Sequence, residues 1–253
     1  LRGTYAIRDR GRGLAELRTL AAAGNTHALY TLAGDVWNES KTPEDDEAAK
    51  TMLRRAIDLG SGAAAGRLGT WISGSDPVES HRLSELGAAR GDPDALNAVG
   101  YDYAYARGVL HDGAAAERWY GQAANGGHLV AQTNLAHLYS TGTLVPRDFG
   151  KARAWLEIAA ERDHPEALMA LGMLYDHGEG VPVDWARARA LYERAAARGH
   201  AGAMNNMGYL LEHGRAAEID LDRARDWYEK AAEKNHPEAL SNLALLYKDG
   251  RGV

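Results

Sequence analysis

Residues 165–202 read PEALMALGMLYDHGEGVPVDWARARALYERAAARGHAG, and most of the chain repeats their pattern. Ala167, Leu171, Leu174 and Tyr175 fall at i, i+4, i+7 and i+8, an apolar stripe at helical spacing, so the pattern predicts a helix A over residues 165 to 177. Gly178 and Gly180 break that helix, and Val181 and Pro182 carry the chain around a bend. Asp184 then opens a helix B as its N-cap, where a carboxylate accepts from orphan backbone N–H groups and faces the positive end of the dipole. Ala188, Leu191, Tyr192, Ala195 and Ala196 give helix B its buried face, and Gly199 ends it. Pro165, like Pro237, suits the first helical position, whose N–H has no intrahelical partner.

Written in rows of 36, the chain aligns with itself. One column holds Ala95, Ala131, Ala167, Ala203 and Ala239; a second holds Gly100, Ala136, Gly172, Gly208 and Ala244; a third holds Tyr103, Tyr139, Tyr175, Leu211 and Tyr247. The second half of each row adds Asp112, Asp148, Asp184 and Asp220, then Trp119, Trp155, Leu191 and Trp227, then His128, His164, His200 and His236. Several columns sharing one period are not a coincidence. A short helical hairpin cannot bury both of its faces, so it must stack on its neighbours, and the fold expected is all-α, a right-handed α-solenoid of helix pairs with a concave and a convex side. Small residues such as Gly172, Ala136 and Gly208 let helix B approach helix A closely.

The pattern A-x-x-x-L-G-x-x-Y, G-x-G-V, D-x-x-x-A, W-Y-x-x-A-A-x-x-G resembles the Sel-1-like repeat, a relative of the tetratricopeptide repeat. Residues 95 to 253 carry the resemblance strongly and 28 to 94 weakly. It implies one solenoid over 1–253: a partial repeat or cap at 1–27, divergent repeats at 28–63 and 64–94, regular repeats at 95–130, 131–166, 167–202 and 203–238, and an incomplete one at 239–253. From Ala64 to Ala95 is 31 residues, so that row has lost about a turn and a half around Gly74 to Pro77. Asn38 to Pro43 replace the glycine loop in the row from Ala28, while Leu14, Leu17 and Ala21 read as a helix B whose helix A is degenerate or missing. Gly250, Gly252 and Val253 stop where the last helix B should begin, which leaves an apolar face wet and suggests a native chain that continues.

Composition narrows the function classes. The 253 residues are 45% hydrophobic and 25% charged with a net charge of −6, which fits a globular chain and argues against nucleic-acid binding by bulk electrostatics. Zero cysteines exclude thiol catalysis, disulfides and zinc knuckles, and no apolar run approaches the ~18 residues of a membrane span. No P-loop, G-x-S-x-G or H-E-x-x-H occurs, so the expectation is no enzyme and no cofactor. The histidine column reads as a cap or turn position rather than a metal site, because histidines one repeat apart cannot converge on one ion. Asp45 and Asp46 read as a helix N-terminus, and the arginines of helix B, Arg187, Arg189, Arg194 and Arg223, as a solvated outer face. The chain opens at Leu1 with no methionine and no leader pattern, as a processed piece would; lack of cysteine favours the cytoplasm, and the alanine- and arginine-rich composition resembles that of bacterial proteins.

The resemblance also implies a binding face, since tetratricopeptide-like grooves are lined by helix A. Mapped onto these rows it gives Asn97, Tyr101 and Tyr105, then His137 with Thr141, then Met169, Met173 and His177, then Asn205, Tyr209 and His213. Asn134, Asn206 and Asn242 form a further set, in related repeats the position that clasps a peptide backbone; here they either do that or bond helices between repeats. Tyrosine and methionine suit a surface that takes something apolar while staying wet. This set holds no lysine or arginine, so it suits a peptide or helix better than an acidic C-terminal tail. The expected function is a non-catalytic scaffold or adaptor that binds a segment of another protein. Two other classes fit the same residues: a regulatory domain of a larger enzyme or signalling chain, and a glycan or small-ligand site stacking on Tyr101 or Tyr105. Head-to-tail stacking of the last helix on a second copy is a further way to cover its apolar face.

Overall fold

The computed structural model describes residues 2–251, with side chains from residue 11 onward. Leu1 and the Gly252-Val253 end discussed above lie outside the described residues. Fourteen helices and no strand are found among them, and no helix there is long and apolar enough to cross a membrane.

The chain divides into two compact units, Leu1–His128 and Leu129–Val253. The first holds α1 (Arg2–Ala22), α2 (Thr26–Glu39), α3 (Pro43–Asp58), α4 (Gly62–Ile72), α5 (Pro77–Ala89), α6 (Pro93–Tyr105) and α7 (Gly113–Asn125). The second holds α8 (Leu129–Thr141), α9 (Phe149–Glu161), α10 (Pro165–His177), α11 (Trp185–Ala197), α12 (Ala201–Glu212), α13 (Leu221–Ala232) and α14 (Pro237–Lys248). Within each unit the helices pack as successive hairpins, α10 on α11 and α12 on α13 for example. Helix A of the quoted stretch spans the 165–177 that its periodicity predicts.

Local chemistry accounts for the boundaries. Asp112, Asp148, Asp184 and Asp220 each cap a helix B, with the side chain accepting from the backbone N–H three residues on at 2.9–3.0 Å. Asp184→Ala is expected to cost about 1 kcal/mol, measured as a lowered urea midpoint at unchanged slope. Gly178 at φ 73° and Gly180 at φ 68° hold the left-handed conformations that end α10 and turn the loop. Glu44, Asp45 and Asp46 form the first turn of α3, behind the Thr42 cap and Pro43. The shortened row is explained by α4, two residues shorter than α6, and by a loop of residues 73–76 where 106–112 stand one row later.

Packing assigns the columns. Tyr120, Leu156, Tyr192 and Tyr228 are almost fully buried, whereas Trp119, Trp155 and Trp227, one position earlier, are only half-buried. The tyrosine column therefore fills the hairpin interior, and the tryptophan column covers its margin. Opposite each tyrosine stands a glycine: a Cβ built at Gly100, Gly172 or Gly208 would lie 2.6–2.7 Å from the ring of Tyr120, Tyr192 or Tyr228. The row with Leu156 at the tyrosine position has Ala136 at the glycine position.

The histidines serve as caps. His164 and His200 accept at Nδ1 from the N–H of Ala167 and Ala203, while Nε2 of His200 meets Glu166 and Nε2 of His128 meets Asp94 at 2.8 Å. His236 stands at the same position before α14 without a side-chain cap bond. The helix B arginines do more than face solvent. Arg194 donates to Ala160 O and to Asp163, which Arg198 also binds, so α11 is tied to the end of α9; these guanidiniums hold the Asp163 carboxyl below its ordinary value. Arg187 lies 4.3 Å above the Tyr175 ring, as Lys151 lies 4.8 Å above Tyr139 one row earlier.

Candidate functional site on the A helices

In the first unit, α6 presents Tyr101 and Tyr105 stacked at 4.3 Å with a tilt of 33°, and the Arg107 guanidinium lies 5.1 Å from the Tyr101 ring. Tyr105 is half exposed and Asn97, one turn before Tyr101, is partly buried. Asp102 is buried on the same helix and bonds Nδ1 of His81 on α5 at 2.9 Å. Burial pushes its carboxyl above the ordinary value, outweighing that hydrogen bond. Periodicity did not single out the neighbouring aromatic groups: Trp37 and Trp71 stack at 4.2 Å, and Arg67 lies 3.6 Å above Tyr30. Tyr30 stands two residues after Ala28 as Asn97 stands two after Ala95, so the column itself is the signal that finds it.

In the second unit, α8 carries Asn134, partly buried, and His137, exposed. The more developed feature is an open cleft of about 580 Å³ between α10 and α12. Met169, Met173 and His177 line one side; Asn205, Asn206 and Tyr209 line the other. Those six are helix A positions expected from the repeat. Tyr209 stacks on His213 at 4.0 Å, the counterpart of the Tyr101–Tyr105 pair at positions 108 residues apart.

Two of the asparagines work between helices. Asn242 Nδ2 donates to Asn205 Oδ1 at 3.0 Å, linking α14 to α12, and Asn206 hydrogen-bonds the Tyr192 hydroxyl of α11. Both contacts run between consecutive repeats.

The cleft also holds residues that the helix A mapping passed over, Asp176, Arg215, His236 and Glu238. Asp176 is buried; it accepts from Arg215 Nη1 at 3.2 Å and from the Tyr192 hydroxyl at 3.4 Å. The same three-way contact recurs one repeat later, where Glu212 accepts from Arg251 at 2.9 Å and from Tyr228 at 2.7 Å. Arg215 also lies 5.1 Å from the Tyr209 ring and 5.5 Å from that of Trp185. Arg107, Arg215 and Arg251 share one column, with Asp176 and Glu212 in another, which is the sequence signal that would have found them. Among the described residues no three histidine, aspartate or glutamate side chains are grouped to hold a metal ion.

The Sel1 repeat model matches residues 27–61, 93–128, 129–164, 165–200, 201–236 and 237–253, most of the chain. The chain belongs to the Sel1 repeat family. The unmatched residues 62–92 hold the whole of the shortened α4–α5 hairpin. Among curated proteins this Sel1 repeat chain is 29% identical over 119 residues to protein sel-1 homolog 2 of Mus musculus, covering 45% of this chain and 17% of that one. Its fold is similar to a protective antigen of uropathogenic Escherichia coli strains, with a TM-score of 0.74 and 29% identity over 92% of this chain and 51% of the antigen. It is also similar to a Sel1 repeat protein from Oxalobacter formigenes, with a TM-score of 0.68 and 26% identity over 96% of this chain and 72% of that one. The chain thus spans about half of the antigen and a smaller part of the mouse protein. Proteins of this family generally work as protein-interaction scaffolds.

Proposed function

We propose that this Sel1 repeat protein is a scaffold that binds a peptide segment of another protein on its A helices, with the α10–α12 cleft as the principal site. The observation that carries the reading is the composition of that cleft. Met173 is about one-third exposed beside Tyr209, so a flexible apolar side chain and an aromatic one stand open to solvent between polar walls. Methionine adapts to the shape of an apolar partner, and tyrosine offers rigid area at small entropic cost. A core residue would have been covered by its own neighbours, as Met207 is on the same α12.

The test uses a random peptide display library selected on the immobilised full chain, with binders measured by fluorescence anisotropy. Met173→Glu places a charge in the cleft and is expected to weaken binding at least about tenfold, the loss usual for a central interface residue. Ile158→Glu, at an exposed apolar position on α9, is expected to leave affinity unchanged. The opposite ranking, or a selection that returns no binder, contradicts the proposal.

A further inference from the structure

The peptide reading leaves open what the cleft selects, and Arg215 supplies the criterion. Its side chain is 31% exposed, it is fixed by Tyr209, Trp185 and Asp176, and only Nη1 has an acceptor among the described residues. A guanidinium offers five N–H donors in a planar fork. The remaining donors therefore stand spare at the edge of a cleft whose floor is Met169, Met173 and Tyr209. His177, on the same rim, has no side-chain hydrogen bond among the described residues and adds to the donor capacity. The cleft's own carboxylates are already paired or face solvent. Asp176 already accepts from Arg215 and Tyr192, and Glu238 is mostly exposed and lies 3.3 Å from His236. An incoming acceptor would therefore meet the spare donors of Arg215 beside the apolar floor.

Resting on the reading above, we infer that the cleft recognises an acidic side chain next to an apolar one within a peptide segment, with the carboxylate on Arg215 and the apolar group on Met173 and Tyr209. This reverses the expectation drawn from the helix A residues alone, which contain no cation; Arg215 comes from the loop after α12. Pre-fixing the guanidinium near two rings and on Asp176 lowers the ordering cost of such a contact.

The experiment uses the library-selected peptides, fluorescein-labelled and amidated at the C-terminus. Selected sequences are expected to share an Asp or Glu beside Leu, Met or Phe. Changing that acid to its amide should weaken binding about ten- to a hundredfold, the range of a charged hydrogen bond. Arg215→Gln should weaken the acidic peptide equally and leave the amide peptide at its already reduced affinity. Because the peptide-side change leaves the protein untouched, a folding defect in Arg215→Gln cannot imitate the result, and Arg251→Gln, which breaks the matching contact to Glu212, should keep full affinity. Selected peptides without a shared acid, equal binding of acid and amide forms, or loss of binding when the C-terminus is amidated each overturn the inference. If Met173→Glu abolishes binding while the amide peptide binds as well as the acid, the peptide site stands and only its specificity is refuted. If neither change matters, or no peptide is selected, both readings fall.

Discussion

Gly172→Val is expected to lower the stability of the chain by about 1–3 kcal/mol, as overpacking of a filled interior does. The cause is local. A Cβ at position 172 would lie 2.6 Å from Cε1 and 2.8 Å from Cδ1 of Tyr192, whose side chain is fully buried. The ring has nowhere to retreat, because its hydroxyl bonds Asp176 and Asn206. Even Gly172→Ala, which improves helix propensity, should destabilise for this reason. The chain itself contains the compensating pair: where the glycine position is Ala136, the tyrosine position is Leu156 and the Asp176 position is Ser140. Gly172→Ala/Tyr192→Leu should therefore be more stable than Gly172→Ala alone, and Asp176→Ser added to it should cost less than Asp176→Ser in the natural chain. Urea unfolding of these variants beside the natural chain checks the ranking. A double variant less stable than Gly172→Ala alone would show that ring and helix are not in the contact described.

Tyr101→Ala together with Tyr209→Ala is expected to weaken peptide binding at least about tenfold, since aromatic residues dominate interface energetics. The melting temperature should fall by only a few degrees. Both rings are part-exposed and stack on other surface groups, Tyr105 and Arg107 in one unit and His213 and Arg215 in the other. Such a stack contributes roughly 0.5–1.5 kcal/mol, less than the filling of a hairpin interior. The variants at residue 172 and at 101/209 would thus separate packing at the glycine position from the contact role proposed for the A-helix tyrosines. A double alanine variant that unfolds with Gly172→Val, or one that binds like the natural chain, would remove the distinction.

Helix placement was legible because it depends on short-range chemistry. Ala167 to Tyr175 carry a stripe at helical spacing, Asp184 caps three residues ahead, and Gly178 adopts φ 73°; each effect is decided within one turn of chain. The contacts that shape the cleft depend on longer separations. Arg215 meets Asp176 39 residues away and Asn242 meets Asn205 37 residues away, so neither partner is visible along one helix. A column of residues shows that a position recurs and leaves open what it touches: the tryptophans at 119, 155 and 227 recur as regularly as the residues that follow them, yet only the latter fill the core. In the divergent rows even the columns fade, and the Trp37–Trp71 stack, with one ring on each of α2 and α4, has no counterpart in the regular repeats to point to it.

The five methionines offer the most direct test of the cleft as the binding site. Met169 and Met173 line it, Met204 and Met207 are buried on α12, and Met52 lies on α3 in the other unit. With methyl-labelled methionine, titration of a library-selected peptide should move the Met169 and Met173 resonances most, with Met52 and Met207 nearly unmoved. Saturating peptide that leaves Met169 and Met173 in place, or that moves Met52 instead, would contradict binding between α10 and α12.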